Sequence, residues 1–485
     1  MVLFGACSRT PRGMERLAIL PFANLSGDPA LDWVATAGPI ILSQELAGGA
    51  HLFPFRASSV GIAALESATQ LLHCTFTQRS GTLHIQYALE DAKRHRMIAT
   101  GSVNGTALST VGALASILDM DGARPFSTPN PDAAAAWGRG DFERAVTLDP
   151  DFGSAWASWI AQAARSGKPE EAAALAKRAL AHVSLRTPLD KAQIQLTYAT
   201  LRKDEGARAA ALTEMAKLSP HDTGPLLGLA AIEQQARKYP AAEALYRRVL
   251  AIEPKNADAL NSLGYAEGES GDLQAATKTF QAYGQLPNQA NNALDSLGEV
   301  YFMNGRFAEA EKYFAQVSAR DPNFLKGAPM MKAAFAHWLG GDLAGADALM
   351  QQYLAFLAKQ NDPLAAWREA NWFYATGRRE QAMAALAKTP PDQAATMERQ
   401  RAVWRGEAHV PDDLNQLRTV YQNTNPATDG LARTLYAGAL VRASKVDEAR
   451  ALFKLWPLPE SASDNLLQSL MYPRFLALRK ELNIQ

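Results

Sequence analysis

The chain has 485 residues, and its 49 lysines and arginines are balanced by 49 aspartates and glutamates, so its formal net charge is zero. Hydrophobic residues make up 47% and charged residues 20%, which indicates a folded protein, and the absence of a basic surplus argues against a nucleic-acid partner. The sequence has no apolar run of about 18 residues, and its two cysteines are too few for a disulfide framework or a four-thiolate zinc site.

The amino-terminal residues predict a lipid anchor. Gly5 and Ala6 directly precede Cys7, and this arrangement resembles the lipobox of bacterial lipoproteins. The resemblance implies that Cys7 is lipidated, that residues 1–16 are a signal remnant and tether, and that the protein is anchored on the periplasmic side of the cell envelope. A signal needs about 7–15 apolar residues after a positive segment, which is more than the chain has before Cys7. Either the true start lies upstream and Met1 belongs to the apolar segment of the signal, or the resemblance is accidental and Cys7 is a free cysteine at the terminus; the alternative location is the cytoplasm.

Residues 17–120 are predicted to form a small α/β domain. Proline-limited apolar runs predict two short strands, and alternation of apolar with polar residues predicts a hairpin followed by a further strand. These strands are expected at 17–22, 52–55, 71–77, 82–91 and 97–103. Apolar residues at helical spacing predict helices at 33–47, 60–68 and 108–118.

Three side chains of the predicted hairpin belong to residue types that bind metals. Cys74 shares a strand face with apolar neighbours, so we expect a buried thiol that acts as a small apolar group. His73 and His84 lie on the two strands and are expected to approach each other. Two histidines without a third ligand do not make a zinc site, and the sequence therefore predicts no metal here.

The turn after the first strand carries the clearest motif of this region. The motif comprises Leu20-Pro21-Phe22, Asn24, Ser26-Gly27-Asp28-Pro29 and, later, Gly101-Ser102-Val103. It resembles the TolB amino-terminal-like domain, which often precedes tetratricopeptide arrays in bacterial signalling and envelope proteins. The aromatic-Ala-Asp-Gly start that is usual for the following helix is replaced here by Trp33-Val-Ala-Thr-Ala-Gly38, so a binding role of that helix start is not carried over.

A repeat of 34 residues follows. The residues that recur are Leu263-Gly264, Gly271, Ala276 and Phe280, which return as Leu297-Gly298, Gly305, Ala310 and Phe314. This pattern resembles the tetratricopeptide repeat (TPR), in which the small residue lets two antiparallel helices approach and the aromatic residue packs against the next repeat. Weaker copies flank the central ones. The sequence therefore predicts a mainly α fold: a TPR α-solenoid of about eight or nine helix pairs over 131–461, preceded by the small α/β domain. It also predicts an irregular break around 391–428 and a capping helix in 462–485.

The resemblance implies a protein-binding groove lined by the first helix of each pair. Positions 2, 5, 9 and 12 of the repeat point away from the packing seam, and polar or aromatic residues there are candidates for gripping an extended peptide or a partner helix. In the central repeats the candidates are Gln234, Asp258, Asn261, Tyr265, Asn292, Asp295, Glu299 and Phe302. The alternative interpretation of these positions is a solvated helix face.

No motif for nucleotide binding, metal-dependent hydrolysis or nucleophilic catalysis is found in the sequence. The sequence therefore predicts no cofactor and a non-enzymatic scaffold that binds a protein or peptide and contacts a membrane only through Cys7. Two alternatives stay open. One is a cytoplasmic regulatory or sensor scaffold whose α/β domain binds a ligand or partner, and the other is an enzyme with an unrecognised site in 17–120.

Overall fold

The computed structural model describes residues 15–49, 51–65, 67–182, 185–393, 412–423, 430–454 and 482. Cys7, the predicted break around 391–428 and the predicted capping helix fall wholly or mostly outside these residues. The chain divides into two compact units, Met1–Leu229 and Ala230–Gln485, and each is described by itself.

The first unit begins with a six-stranded sheet whose order is β3-β1-β4-β5-β6, with β2 beside β4. Strand β1 pairs in parallel with β3 and β4, and β4, β5 and β6 follow one another as antiparallel neighbours. The strands are β1 (Glu15–Ile19), β2 (Ala23–Asn24), β3 (Leu52–Arg56), β4 (Gln70–Arg79), β5 (Thr82–Asp91) and β6 (Arg96–Gly105).

Three helices accompany this sheet: α1 (Asp32–Leu46), α2 (Val60–Leu65) and α3 (Ala107–Leu118). The strands and helices predicted between 17 and 118 are all found, and Cys74 is buried as expected. The expected approach of His73 and His84 is wrong. The β4–β5 register places His73 opposite Ala88 and His84 opposite Thr77, so the two histidines lie at different levels of the hairpin.

One buried cluster runs from the sheet into the first helices that follow it. It joins Leu17 and Ile19 of β1, through Trp137 and Phe152, to Ile194. The buried cluster thus contains residues on both sides of the domain boundary that was predicted between 120 and 131.

From Pro131 onwards the elements of the described residues are all helices. In the first unit the helices are α4 (Pro131–Gly138), α5 (Phe142–Leu148), α6 (Gly153–Arg165), α7 (Pro169–Ala181), α8 (Pro188–Arg202) and α9 (Glu205–Leu218), and α10 (Thr223–Gln235) crosses into the second unit. They continue as α11 (Tyr239–Ile252), α12 (Ala257–Glu269), α13 (Leu273–Gly284), α14 (Ala290–Met303), α15 (Phe307–Arg320), α16 (Ala328–Leu339), α17 (Leu343–Lys359), α18 (Ala365–Ala375) and α19 (Arg379–Leu386). Three further helices cover Asp412–Asn423, Gly430–Arg442 and Val446–Lys454. No described helix is long and apolar enough to cross a membrane.

The central helices pack in pairs as the repeat predicts. A Cβ on Gly298 of α14 would lie 2.5 Å from the ring of Phe314 on α15, and a Cβ on Gly264 of α12 would lie 2.6 Å from the ring of Phe280 on α13. Gly271 adopts a φ of +91° in the turn between the paired helices, a conformation that favours glycine. The predicted fold class, a TPR α-solenoid preceded by a small α/β region, is confirmed.

Candidate protein-binding site on the first helices of the repeats

The eight residues predicted to line a groove lie on α10, α12 and α14, and their exposure differs widely. Asp258 is exposed, and Gln234, Asn261, Tyr265 and Asn292 are partly buried. The other three candidates are almost fully buried: Asp295 is 3% exposed, Glu299 2% and Phe302 1%. Phe302 packs edge-on against Phe307, with ring centroids 5.5 Å apart. Asp258, Asn261 and Asn292 lie in the first halves of α12 and α14 and are exposed or partly buried; these three residues form the polar entrance of the predicted groove.

Several of these side chains bond to the first helix of the neighbouring repeat. Gln234 donates a hydrogen bond to Glu269 over 3.0 Å, and Ser296 donates to Asn261 over 3.2 Å. The hydroxyl of Tyr265 donates to Oε2 of Glu299 over 2.5 Å. Since the two members of each bond are about one repeat apart in sequence, these bonds hold successive first helices in register.

A buried ion cluster, formed by Asp295, Glu299 and Lys332, continues this series of bonds into the next repeat. Nζ of Lys332 on α16 lies 2.7 Å from Oδ2 of Asp295 and also contacts Oε1 of Glu299. It lies 5.7 Å from the centre of the Phe314 ring. Lys332 is only 1% exposed, so three ionisable groups are buried together.

Burial and the charges of the three groups together set the protonation of the ion cluster. Burial raises the pKa of Glu299 to about 7, against the opposing effect of Lys332. Burial alone would lower the pKa of Lys332, but Glu299 and Asp295 together hold it above its usual value. Burial and the nearby Glu299 raise the pKa of Tyr265 well above 10. Lys332 is therefore charged, and a proton on Glu299 would make the cluster neutral.

The ion cluster is suited to fixing the repeats rather than to binding a partner at its carboxylates. Removing one member of a buried ion pair leaves an uncompensated charge, which costs about 3–5 kcal/mol. Asn292 is also engaged within the protein, because its amide donates to the hydroxyl of Tyr283 over 2.7 Å.

Lys332 was absent from the predicted site because the repeat changes length before α16. Gly341 and Ala346 follow Gly305 and Ala310 by 36 residues instead of 34. Counted back from the turn glycine of each repeat, Gly341 or Gly305, Lys332 occupies the same repeat position as Ser296. Each of the two side chains donates a hydrogen bond to the preceding first helix: Lys332 to Asp295, and Ser296 to Asn261. A single lysine in the apolar run 328–336 is a signal for this cluster, because a lysine in such a setting is seldom buried without a partner.

A second charged cluster, also absent from the prediction, joins α11, α12 and α13. Arg247 contacts Glu243 over 2.9 Å and the buried Glu267 over 2.8 Å. Thr279 donates to the other oxygen of Glu267 over 2.6 Å. Both oxygens of the buried carboxylate are therefore hydrogen-bonded, which makes this cluster structural.

The part of the chain that the structure describes contains no group of three or more histidine, cysteine, aspartate or glutamate side chains that could hold a metal ion.

No protein-family model matches the chain. Among curated proteins, the chain is 31% identical over 151 residues to cellulose synthase operon protein C of Komagataeibacter sucrofermentans. That match covers 29% of this chain and 11% of the relative, so the chain spans only a small part of the relative's length.

Three solved structures are similar over part of the chain. MamA is 18% identical, covers 36% of this chain and 93% of its own, and has a TM-score of 0.31. PilF of Pseudomonas aeruginosa is 19% identical, with coverages of 42% and 92% and a TM-score of 0.30. A tetratricopeptide repeat protein of Parabacteroides merdae is 15% identical, with coverages of 49% and 91% and a TM-score of 0.38.

Proposed function

We propose that the chain is a non-enzymatic scaffold whose repeats bind another protein through the polar entrance of the groove. The observation that carries this proposal is the division of the first helices into two parts. Asp295, Glu299 and Phe302 are buried, whereas Asp258 is exposed and Asn261 and Asn292 are partly exposed at the beginning of their helices. An extended segment or a helix of a partner would bind to these polar side chains.

The test is a comparison of three proteins in quantitative affinity capture from the source cells. Asp258→Ala/Asn292→Ala removes two of the three polar side chains of the entrance and leaves the ion cluster intact. Lys278→Ala/Gln281→Ala removes two exposed side chains of α13, the helix between α12 and α14, and is the matched control. We expect a partner of the wild type to be lost from the first variant and retained by the second. Equal recovery of all partners by the three proteins would contradict the proposal.

We propose further that the scaffold is held at the cell envelope by a lipid on Cys7, and that its α/β region is a TolB amino-terminal-like domain. The small residues before Cys7 and the motif around Ser26-Gly27-Asp28-Pro29 support these two assignments. Labelling of cells with an alkyne fatty acid should mark the full-length protein and leave Cys7→Ser unmarked. Equal labelling of both proteins, or of neither, would contradict the anchor.

A further inference from the structure

The outer edge of β6 lies more than 120 residues before the proposed groove in the sequence. β6 is the last strand in the sheet order, and within the described part of the chain it pairs only with β5. It is 10 residues long, and residues 96–102 are all exposed. Met97 is 55% exposed and Ile98 46%, so apolar side chains contribute to this surface.

Hydrogen bonds elsewhere in the sheet show which β6 backbone groups point outwards. The carbonyls of Leu72 and Phe76 accept hydrogen bonds from Leu20 and Leu25, so these β4 residues point away from β5. The N–H and C=O of a residue lie on one side of a strand and alternate in direction along it. Thr75 and its opposite residue Gln86 therefore point towards each other, across the β4–β5 pair.

The same alternation extends to the edge. Ile85 and Tyr87 point towards β6, where Val103 and Gly101 lie opposite them. The backbone groups of Thr100, Ser102 and Asn104 consequently point away from β5, into solvent. Every second residue from 100 to 104 thus offers an N–H donor and a C=O acceptor, in the arrangement that a further strand needs.

The features that commonly protect a sheet edge are sparse on β6. Within Arg96–Gly105 there is no proline and no lysine, and the only irregularity is a bulge opposite Leu89/Glu90, near the start of the strand. The middle of the strand carries the small residues Ala99, Thr100, Gly101 and Ser102. A segment laid along this edge would meet little steric obstruction.

Positive charge is concentrated at one end of this edge. Lys93, Arg94, His95 and Arg96 are consecutive and exposed in the turn and at the start of β6. Arg94 contacts Asp91 over 3.0 Å and His95 contacts Glu90 over 3.2 Å. The cations Lys93, Arg94 and Arg96 outnumber the carboxylates Glu90 and Asp91 by one, so this end carries a positive surplus. No charged residue occurs between 97 and 118, so β6 and the helix after it add no charge at the other end of the edge.

We propose that the β6 edge binds an extended segment of another protein, which adds to the sheet as a further strand and places carboxylate side chains beside Lys93 and Arg96. The exposed backbone groups of Thr100, Ser102 and Asn104 supply the hydrogen bonds, and the charged end selects the partner and its direction. A second copy of the chain fits less well. If two β6 strands met about Ser102, each Arg96 would lie beside residues 105–112 of the other copy, which hold no carboxylate.

The test uses the full chain and two fluorescent peptides about as long as β6. Both peptides alternate valine and threonine; one ends in two glutamates and its control ends in two lysines. Fluorescence anisotropy measures their affinities for the wild type, Ser102→Pro and Ser102→Ala. Proline removes an outward N–H without breaking the β5–β6 pairing, and proline is tolerated at such edge positions.

We expect the glutamate peptide to bind the wild type and Ser102→Ala alike, and to bind Ser102→Pro about tenfold more weakly. The lysine peptide should bind the wild type about tenfold more weakly than the glutamate peptide, and high salt should reduce that difference. If Ser102→Pro lowers the thermal midpoint, Thr100→Pro serves in its place.

Failure of both peptides to bind, equal binding of the two peptides, or equal binding to wild type and proline variant would overturn the proposal. Sedimentation velocity of the protein without peptide tests whether a second copy of the chain binds at the β6 edge. Dimers of the wild type that are absent from Ser102→Pro would show that it does, and would also overturn the proposal.

Discussion

Lys332 and Asp295 are 37 residues apart in sequence, yet Nζ of the lysine lies 2.7 Å from Oδ2 of the aspartate in the interior of the second unit. Each residue belongs to the first helix of its repeat, and both are buried. The same lysine contacts Glu299, whose second oxygen accepts the hydroxyl of Tyr265. Glu299 thus bonds to Tyr265 of the preceding repeat and to Lys332 of the following one, so three successive repeats are joined at positions where a groove for a partner was expected.

Replacing the lysine should therefore destabilise the second unit strongly. Lys332→Met keeps the side-chain volume but leaves Asp295 and Glu299 without their cation, and we expect a loss of about 3–5 kcal/mol in the free energy of unfolding. Urea unfolding followed by circular dichroism measures it. Lys312→Met, at an exposed position of α15, is the control and should change stability by less than about 0.5 kcal/mol. A loss no larger than that of the control would show that the ion cluster does not hold the repeats together.

The close approach of α14 and α15 makes a second prediction. Gly298→Ala would place a methyl group 2.5 Å from the buried ring of Phe314, and we expect it to cost about 1–3 kcal/mol of unfolding free energy. Gly206→Ala in α9 is the matched control, because its Cβ would meet only Asp204 at 3.6 Å, an ordinary contact. That change should stabilise the chain by about 0.4–1 kcal/mol. If Gly298→Ala were equally stabilising, the paired helices would not be as closely packed as described.

The repeat architecture was predictable because its signals are local and periodic. Gly264 and Phe280 recur at a fixed spacing, and their roles depend only on the contact between two adjacent helices. The strands of the amino-terminal sheet were predictable from alternation, but their register was not. Nothing near His73 or His84 in the sequence specifies which residue faces them, because register depends on the length of the turn and on the whole buried face.

The candidate site was less predictable than the fold. Their position in the repeat assigns Asp295 and Glu299 to a groove, but both are paired with a lysine of the next repeat. That repeat is offset by 36 residues instead of 34, so the lysine lies two residues from where a strict 34-residue period would place it. A periodic pattern read at a fixed interval misses such a shift. Pairing between distant charged residues also leaves no local pattern in a single sequence. The composition of α16, with one lysine among apolar residues, was the available indication.

His337 at the end of α16 should titrate above its usual pKa. Its Nδ1 lies 2.8 Å from Oε2 of Glu311 and its Nε2 lies 3.0 Å from Oδ2 of Asp342, and hydrogen bonds to these two carboxylates, Glu311 first, raise the pKa of the imidazole. The protonated form is favoured by folding, so this contribution to stability is present below the unfolded pKa of about 6.5 and is lost as the pH rises through the folded pKa.

Proton NMR of histidine-labelled protein measures this titration directly. Glu311→Gln should lower the midpoint of His337, and Asp342→Asn should lower it less. Glu309→Gln is the control, because Glu309 lies on α15 like Glu311 but pairs with Arg306. It should leave the titration midpoint of His337 unchanged. A His337 midpoint at or below about 6.5 in the wild type would contradict the two-carboxylate arrangement.

Glu45 of α1 makes the first unit sensitive to pH in the neutral range. It is 4% exposed and its Oε2 has no hydrogen-bond partner in the described structure. Burial raises its pKa to about 8, against a smaller opposing effect of the backbone of Phe126. Because the folded state holds the proton more tightly than the unfolded state, the stability contributed by the protonated form is complete below about pH 4.5 and is lost as the pH rises towards 8.

Glu45→Gln should remove this dependence. Between pH 5 and 9 the free energy of unfolding of the wild type should fall relative to that of the variant by about 4 kcal/mol, since each unit of pKa shift corresponds to about 1.4 kcal/mol and part of the shift lies below pH 5. Urea titrations at a series of pH values measure the difference, and only its change with pH is diagnostic, because a buried amide has a constant cost of its own. Glu170→Gln, at an exposed position of α7, is the control and should follow the wild type at every pH. Parallel curves for wild type and Glu45→Gln would mean that Glu45 is ionised in the folded protein, with a charge-stabilising contact for its Oε2.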